Sequence, residues 1–198
     1  MRVTLFDYGA GNLHSLAKAL ALTGVELRVE TDPVAALNTD ALILPGVGAF
    51  SSAAQKLAPG RQAMVEAILD GLPCLGICLG MQLLLETSEE GVGQGLGVIP
   101  GTVRKLRARR VPQIGWNEII TESDPIFERA PIDLAYFANS FVCHPDDERG
   151  VIAWSTHENE RFAAAVRVAN AVGVQFHPEK SSSTGLAFIR AFIDSAAA

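Results

Sequence analysis

"LGICLGMQ", residues 75–82, places Cys78 between Gly76 and Gly80 where an apolar run gives way to a helical pattern. A buried cysteine is ordinarily a small hydrophobe whose reactivity is irrelevant, so the reading turns on the two glycines. The stretch has the G-x-S-x-G form of a nucleophile elbow, with cysteine in place of serine. A nucleophile on a tight strand-to-helix turn adopts strained backbone angles, and larger residues on either side would collide with the adjoining strand and helix. On such a turn the thiol points out of the sheet toward the next helix, whose partial positive charge and free N–H groups favour a thiolate. Gln82, one turn later, lies on the same face.

Working outward, short apolar runs predict strands at 3–6, 25–29, 41–44 and 73–77, alternating with helix-period segments. Between the first two, Leu13, Leu16, Ala17 and Leu20 recur at helical spacing, Asn12 can cap the start and Gly24 can end it. Beyond Thr87 the pattern changes to glycine-rich turns and strand-like runs at 97–103, 114–120, 134–137, 151–154 and 162–167, with almost no helical period. A last strand at 171–176 precedes a helix that starts from Ser181, Ser182 and Ser183 and carries Leu186, Ile189, Phe192 and Ile193 as its apolar face. The fold class is therefore α/β: an open, largely parallel central sheet flanked by helices, with an additional antiparallel region in the second half. Residues 1–198 read as a single domain.

Composition narrows the function. The 198 residues are 48% hydrophobic and 19% charged, with a formal charge of −6, which argues against a phosphate-facing surface and so against a nucleic-acid partner. No apolar stretch approaches the ~20 residues that span a bilayer, and the opening residues read as a strand rather than a leader. The three cysteines, Cys74, Cys78 and Cys143, cannot all pair and fit no zinc-ligand spacing, which implies a reducing, cytoplasmic compartment.

A second motif answers the elbow. "QFHPEK", residues 175–180, places His177 and Glu179 two residues apart around Pro178. In an extended segment, residues i and i+2 share a side, so Glu179 can accept from one ring nitrogen while the other faces a nucleophile. Pro178 restrains His177 to an extended conformation. The remaining histidines are weaker: His144 follows Cys143 directly and reads as structural, and His14 and His157 sit in polar surroundings. A third feature, Pro45-Gly46-Val47-Gly48 after the third strand, puts glycines at the sheet edge where backbone N–H groups can approach a ligand. "YGAGNL" at 8–13 lacks the third glycine of a dinucleotide loop, and Arg104, Lys105, Arg107, Arg109 and Arg110 read as a solvated hairpin.

Gly-Ile-Cys-Leu-Gly-x-Gln, the upstream Pro-Gly-x-Gly and the C-terminal Gln-Phe-His-Pro-Glu together resemble the triad-type, class I glutamine amidotransferases over essentially the whole chain. Within that class "DYGAGNLHS", "LPGVGAF", "GICLGMQ", "IGWN" and "GVQFHPEKS" look most like the glutaminase subunits of imidazole glycerol phosphate synthases. The resemblance implies Cys78 as nucleophile, His177 as general base and acid, and Glu179 as its orienting carboxylate. It implies an oxyanion environment from the backbone of Gly46, Val47 and Leu79, and glutamine contacts from Gly48, Gln82 and Ser140. It implies no metal and no organic cofactor. It also implies a partner, a (β/α)₈-barrel cyclase subunit in a heterodimer, which would join the ammonia to a phosphoribulosyl-formimino substrate in histidine biosynthesis. Asn12, Trp116, Asn117 and Lys180 are the candidate contacts with that partner. Two positions depart from the family pattern: Gln113 stands where a histidine is common, and so does Asn139. Two rivals remain at this stage, an α/β-hydrolase with a cysteine nucleophile, whose acid would lie upstream of the histidine, and a non-catalytic module that retains the fold.

Overall fold

The computed structural model describes residues 1–197. Its first half alternates strand and helix: β1 (Arg2–Phe6), α1 (His14–Ala21), β2 (Glu26–Glu30), β3 (Ala41–Leu44), α2 (Phe50–Leu57), α3 (Arg61–Leu69), β4 (Cys74–Ile77) and the single turn α4 (Leu79–Gln82). The second half holds β5 (Thr87–Ser88), β6 (Gly101–Lys105), β7 (Gln113–Glu118), β8 (Ile120–Thr121), α5 (Pro125–Arg129), β9 (Leu134–Asn139), β10 (Phe141–Pro145), β11 (Val151–His157), β12 (Glu160–Val168), β13 (Ala171–Val174) and α6 (Ser182–Ala196).

The main sheet runs β2-β1-β3-β4-β13-β12-β11-β8. The first five of these pair in parallel and the rest antiparallel. Its inner strands are buried on both faces, which is why they read as unbroken apolar runs. Along β3, Ile43 packs beneath α1 and α6 with Leu16, Phe188 and Phe192, while Leu42 and Leu44 pack on the opposite side with Phe50, Leu57 and Met64 of α2 and α3. Beside this sheet lie a three-stranded sheet, β10-β6-β5, and the antiparallel ribbon β7-β9. No helix among the described residues is long and apolar enough to cross a membrane.

Several expectations need correction. The predicted strand 97–103 forms only from Gly101, because Gly97 takes φ +73° and Pro100 supplies no N–H to a ladder. The run 114–120 divides: β7 pairs with β9, the buried Ile119 crosses over, and β8 joins the edge of the main sheet. Strand β10 was not anticipated, since the turn separating it from β9 is the single residue Ser140. Helix α5 starts from Asp124, whose Oδ1 accepts from the Ile126 N–H at 2.9 Å, with Pro125 in the first turn. The apolar face of α6 is Phe188, Ile189, Phe192 and Ile193, whereas Leu186 is 38% exposed. Phe188 takes the place expected of Leu186 because it meets Phe127 and Phe176 at ring distances of 5.8 and 5.6 Å.

The glycines beside Cys78 meet the demand read from the sequence. A Cβ on Gly76 would fall 2.6 Å from the Gly80 carbonyl oxygen, and one on Gly80 only 2.0 Å from that of Leu44. Both obstacles are backbone, so strand and helix would have to separate. Gly80→Ala is expected to destabilise the chain by about 3 kcal/mol or more, read as a lower midpoint of urea unfolding; a loss below about 1 kcal/mol would show that the elbow tolerates a wider spacing.

Candidate active site

Cys78 follows the last residue of β4 with φ +48° and ψ −102°. A non-glycine residue in that region is strained by about 1–3 kcal/mol. It is held there by its own N–H, which donates to Val174 O at 2.6 Å, and by its carbonyl, which accepts from Gln82 N at 3.1 Å. The side chain emerges at the carboxyl edge of the parallel strands, the edge where such sheets bind ligands. The helix that follows is shorter than the sequence implied. With only four residues, α4 has little macrodipole to offer a thiolate, and the charge must be met by neighbouring side chains instead.

His177 is one of them. It is 3% exposed, and its Nδ1 lies 2.8 Å from Glu179 Oε1. Burial alone would lower its pKa, but hydrogen bonding to Cys78 and Glu179 and the charges of both outweigh that effect and raise it to about 9. The imidazole is therefore held as a cation at neutral pH between a sulfur and a carboxylate. The pairing of His177 with Glu179 arises differently from the expectation. His177 is extended, at φ −100° and ψ 95°, but Pro178–Lys180 forms a 3₁₀ turn that swings the carboxylate back to the ring. Gln175, two residues before His177, also reaches the thiol: its Nε2 lies 3.4 Å from Cys78 Sγ.

The other two thiols are of a different kind. Burial pushes Cys74 up to about 12. Burial first, then the charge of Cys78, pushes Cys143 higher still. Both stay protonated.

A cleft of about 220 Å³ opens over Cys78, lined among others by Gly46, Gly48, Leu79, Gln82, Glu90 and Ser140. Every expected oxyanion and substrate residue except Val47 thus lines one space with the thiol. Gln82 keeps its Nε2 for Phe141 O and Gln175 Oε1, at 3.1 and 3.3 Å, which leaves its carbonyl end for a donor in the cleft. Gly46 fits so closely that a Cβ there would stand 2.9 Å from both Cys78 Cβ and His177 Cε1. Glu90 was not anticipated from the sequence; it brings a carboxylate to the cleft wall while its Oε2 accepts from Phe50 N at 2.9 Å.

A second cleft, of about 140 Å³, is bordered by Gly46 and Val47 on one side and by Asn12, Ser15, Glu179 and Lys180 on the other. Asn12 and Lys180, two of the proposed partner contacts, therefore meet across the 45–48 loop from the thiol. Asn12 also caps α1 from one position earlier than its N-cap, accepting from His14 N at 2.8 Å. Trp116 is 52% exposed and joins this edge through Tyr136, whose ring lies 6.4 Å from that of Trp116 and 5.9 Å from Lys180 Nζ. Asn117 does not join it. Adjacent residues of β7 face opposite ways, and its amide donates inward to Ser155 Oγ at 3.0 Å and Thr156 O at 2.9 Å. The departures Gln113 and Asn139 prove to be cross-strand partners, both buried.

The glutamine amidotransferase class-I family matches residues 4–195 of the chain. The imidazole glycerol phosphate synthase subunit HisH of Natronomonas pharaonis is 44% identical over 202 residues, covering 97% of this chain and 94% of that one. The protein of the same name from Zymomonas mobilis subsp. mobilis is 46% identical over 206 residues, covering 97% and 95%. Among solved structures, one described as a glutamine amidotransferase superposes with a TM-score of 0.77 at 19% identity and 99% coverage of both chains. PurLQS from Thermotoga maritima superposes at 0.72, with 20% identity and 98% coverage of both. The last two attest the fold alone, but the family match spans nearly every residue that builds the sheet, the elbow and the His177–Glu179 pair: this chain belongs to the class-I glutamine amidotransferases.

Proposed function

We propose that this chain is the glutaminase subunit of an imidazole glycerol phosphate synthase and that residues 1–198 act as one glutamine amidotransferase domain. The observation that carries the chemistry is the placement of His177, whose Nδ1 lies 2.8 Å from Glu179 Oε1 and whose ring, like the Cys78 side chain, comes within 2.9 Å of where a Cβ on Gly46 would fall. Cys78 attacks the side-chain amide carbon of glutamine, and backbone N–H groups of the 45–48 loop and Leu79 receive the tetrahedral oxyanion. The His177 imidazolium gives its proton to the departing nitrogen, ammonia leaves, and a γ-glutamyl thioester remains. His177, now neutral, takes a proton from water, whose oxygen attacks the thioester and releases glutamate. Glu90 supplies the negative charge in the cleft that suits the α-ammonium of glutamine, with Gly48, Gln82 and Ser140 completing the contacts.

The ammonia is used on another polypeptide, a cyclase subunit with a (β/α)₈ barrel, in a cytoplasmic heterodimer of the histidine pathway. Docking on the edge formed by Asn12, Trp116 and Lys180 would place the partner against the second cleft and the 45–48 loop. That loop is the natural point of control, because Gly46 and Gly48 leave its peptide groups free to rotate. One misdirected oxyanion donor costs on the order of 10²–10³ in turnover. Glutaminase turnover is therefore expected to be low for the isolated chain, higher with the cyclase subunit, and higher by on the order of 10² again when the acceptor substrate is bound. Equal rates in the three conditions at saturating glutamine would sink this coupling, and absence of glutaminase activity in the complete complex would sink the function itself.

A further inference from the structure

We infer that Gln175 is a second hydrogen-bonding partner of the reacting sulfur: its carboxamide N–H, aimed by a relay from Phe141 O through Gln82, steadies the Cys78 thiolate from behind. The inference rests on the assignment of Cys78 as nucleophile.

The geometry fixes which end of each amide points where. A backbone carbonyl can only accept, so the end of Gln82 that lies 3.1 Å from Phe141 O is Nε2. The same nitrogen lies 3.3 Å from Gln175, and with both its hydrogens so directed, the Gln175 atom it meets is the acceptor Oε1. Gln175 is thereby left with only its Nε2 for the sulfur, at 3.4 Å. Rotating the Gln175 amide by half a turn would set two donors against each other at Gln82 and an oxygen against the thiolate.

Gln175 is wholly buried, and its backbone N–H pairs with Ala164 O at 2.9 Å, so it approaches the sulfur from within the sheet rather than from the cleft. A carboxamide is costly to bury without partners, and both ends of this one are engaged within the site. With α4 only one turn long, Gln175 supplies the fixed dipole that a longer helix would have offered. Its contribution is largest when the thioester breaks. Water oxygen bonds to the carbonyl carbon, its proton passes to His177, and the carbon–sulfur bond gives its electron pair to sulfur. The thiolate re-forms with the Gln175 N–H already in place, and a hydrogen bond to a charged group is among the stronger ones.

The test compares the full chain in complex with its cyclase subunit with its Gln175→Met and Gln175→Glu variants, both close in size to glutamine. Met removes the donor. Glu keeps an acceptor for Gln82 but turns an oxygen toward the sulfur. The readout is the pH profile of Cys78 alkylation by iodoacetamide, followed by mass spectrometry, beside glutaminase kcat and the melting temperature. The profile is expected to move to higher pH by about half a unit or more in Gln175→Met and further in Gln175→Glu, with kcat lower by about tenfold and KM little changed. Folded variants whose profiles superimpose on the original would overturn the assignment, whatever their stability. Should either variant fail to fold, the unaltered protein decides: the side-chain amide proton of Gln175 is expected to titrate with Cys78 by NMR and to lose that dependence once the thiol is alkylated, and a resonance indifferent to both would overturn it. Because alkylation reads the sulfur itself, these outcomes stand apart from whether glutamine is the substrate.

Discussion

Cys78→Ala is expected to reduce glutamine-dependent turnover by at least about 10⁴-fold, while the complex still makes cyclase product when ammonium salts are supplied. Removing the nucleophile of a covalent mechanism leaves only binding and oxyanion stabilisation, and losses of this order or greater follow. The asymmetry between glutamine and ammonia is what identifies the step. Glutamine binding should survive, because Gly48, Gln82, Glu90 and Ser140 line the cleft independently of the thiol. The other cysteines offer no substitute: Cys74 and Cys143 are buried, and burial holds both as thiols. Labelling with a glutamine-mimicking electrophile should accordingly yield one adduct, on Cys78. An adduct on Cys74 or Cys143, or a Cys78→Ala protein that retains more than a few per cent of glutamine-driven turnover, would remove the nucleophile assignment.

The parts of this site that were legible in the sequence share one property: a local constraint strong enough to select residue type. The parallel strands are buried on both faces, so Leu42, Ile43 and Leu44 must all be apolar. The elbow admits only glycine at positions 76 and 80, because the groups in the way are backbone. What escaped depends on packing between distant segments. The division of 113–121 between two sheets and the strand Phe141–Pro145 are set by tertiary pairing, which a periodicity of two cannot specify. Glu90 reaches the cleft from a loop pinned to the start of α2, and no motif announces it. Gln175 stands inside the stretch 175–180 and carries no visible role there, since its contact with the thiol becomes evident only once the fold brings Cys78 against it. Asn117 shows the reverse case: it adjoins Trp116 in sequence, yet its amide donates to Ser155 Oγ on the other side of the strand.

The second large effect concerns the carboxylate. Glu179→Gln is expected to lower kcat on the order of 10³-fold with KM little changed, in line with what an orienting carboxylate contributes in other triads. In the present site Glu179 Oε1 can only accept, so it holds Nδ1 of His177 as the protonated nitrogen and leaves Nε2 for the reaction. A carboxamide presents either an oxygen without charge or an NH₂ group that forces Nδ1 to accept, which places the ring proton on the wrong side. The same change acts on the proton itself. Burial opposes the charge on His177, and the partners Cys78 and Glu179 overcome it to raise the pKa from 6.5 to about 9. Leaving-group protonation therefore persists in the unaltered protein until pH rises through about 9, and with Glu179 neutral the alkaline limb of kcat should move toward lower pH. Stability must follow the same sign. A folded-state pKa above that of the unfolded chain gives a stabilisation that is full below about 6.5 and is lost as pH rises through about 9, and in Glu179→Gln this increment should shrink over that window. Parallel measurements of kcat and urea midpoint from pH 6 to pH 10 check both limbs. A variant with kcat within about threefold of the original and an unmoved alkaline limb would show that the Glu179 contact orients nothing, and the essential acid would then have to be sought upstream of His177.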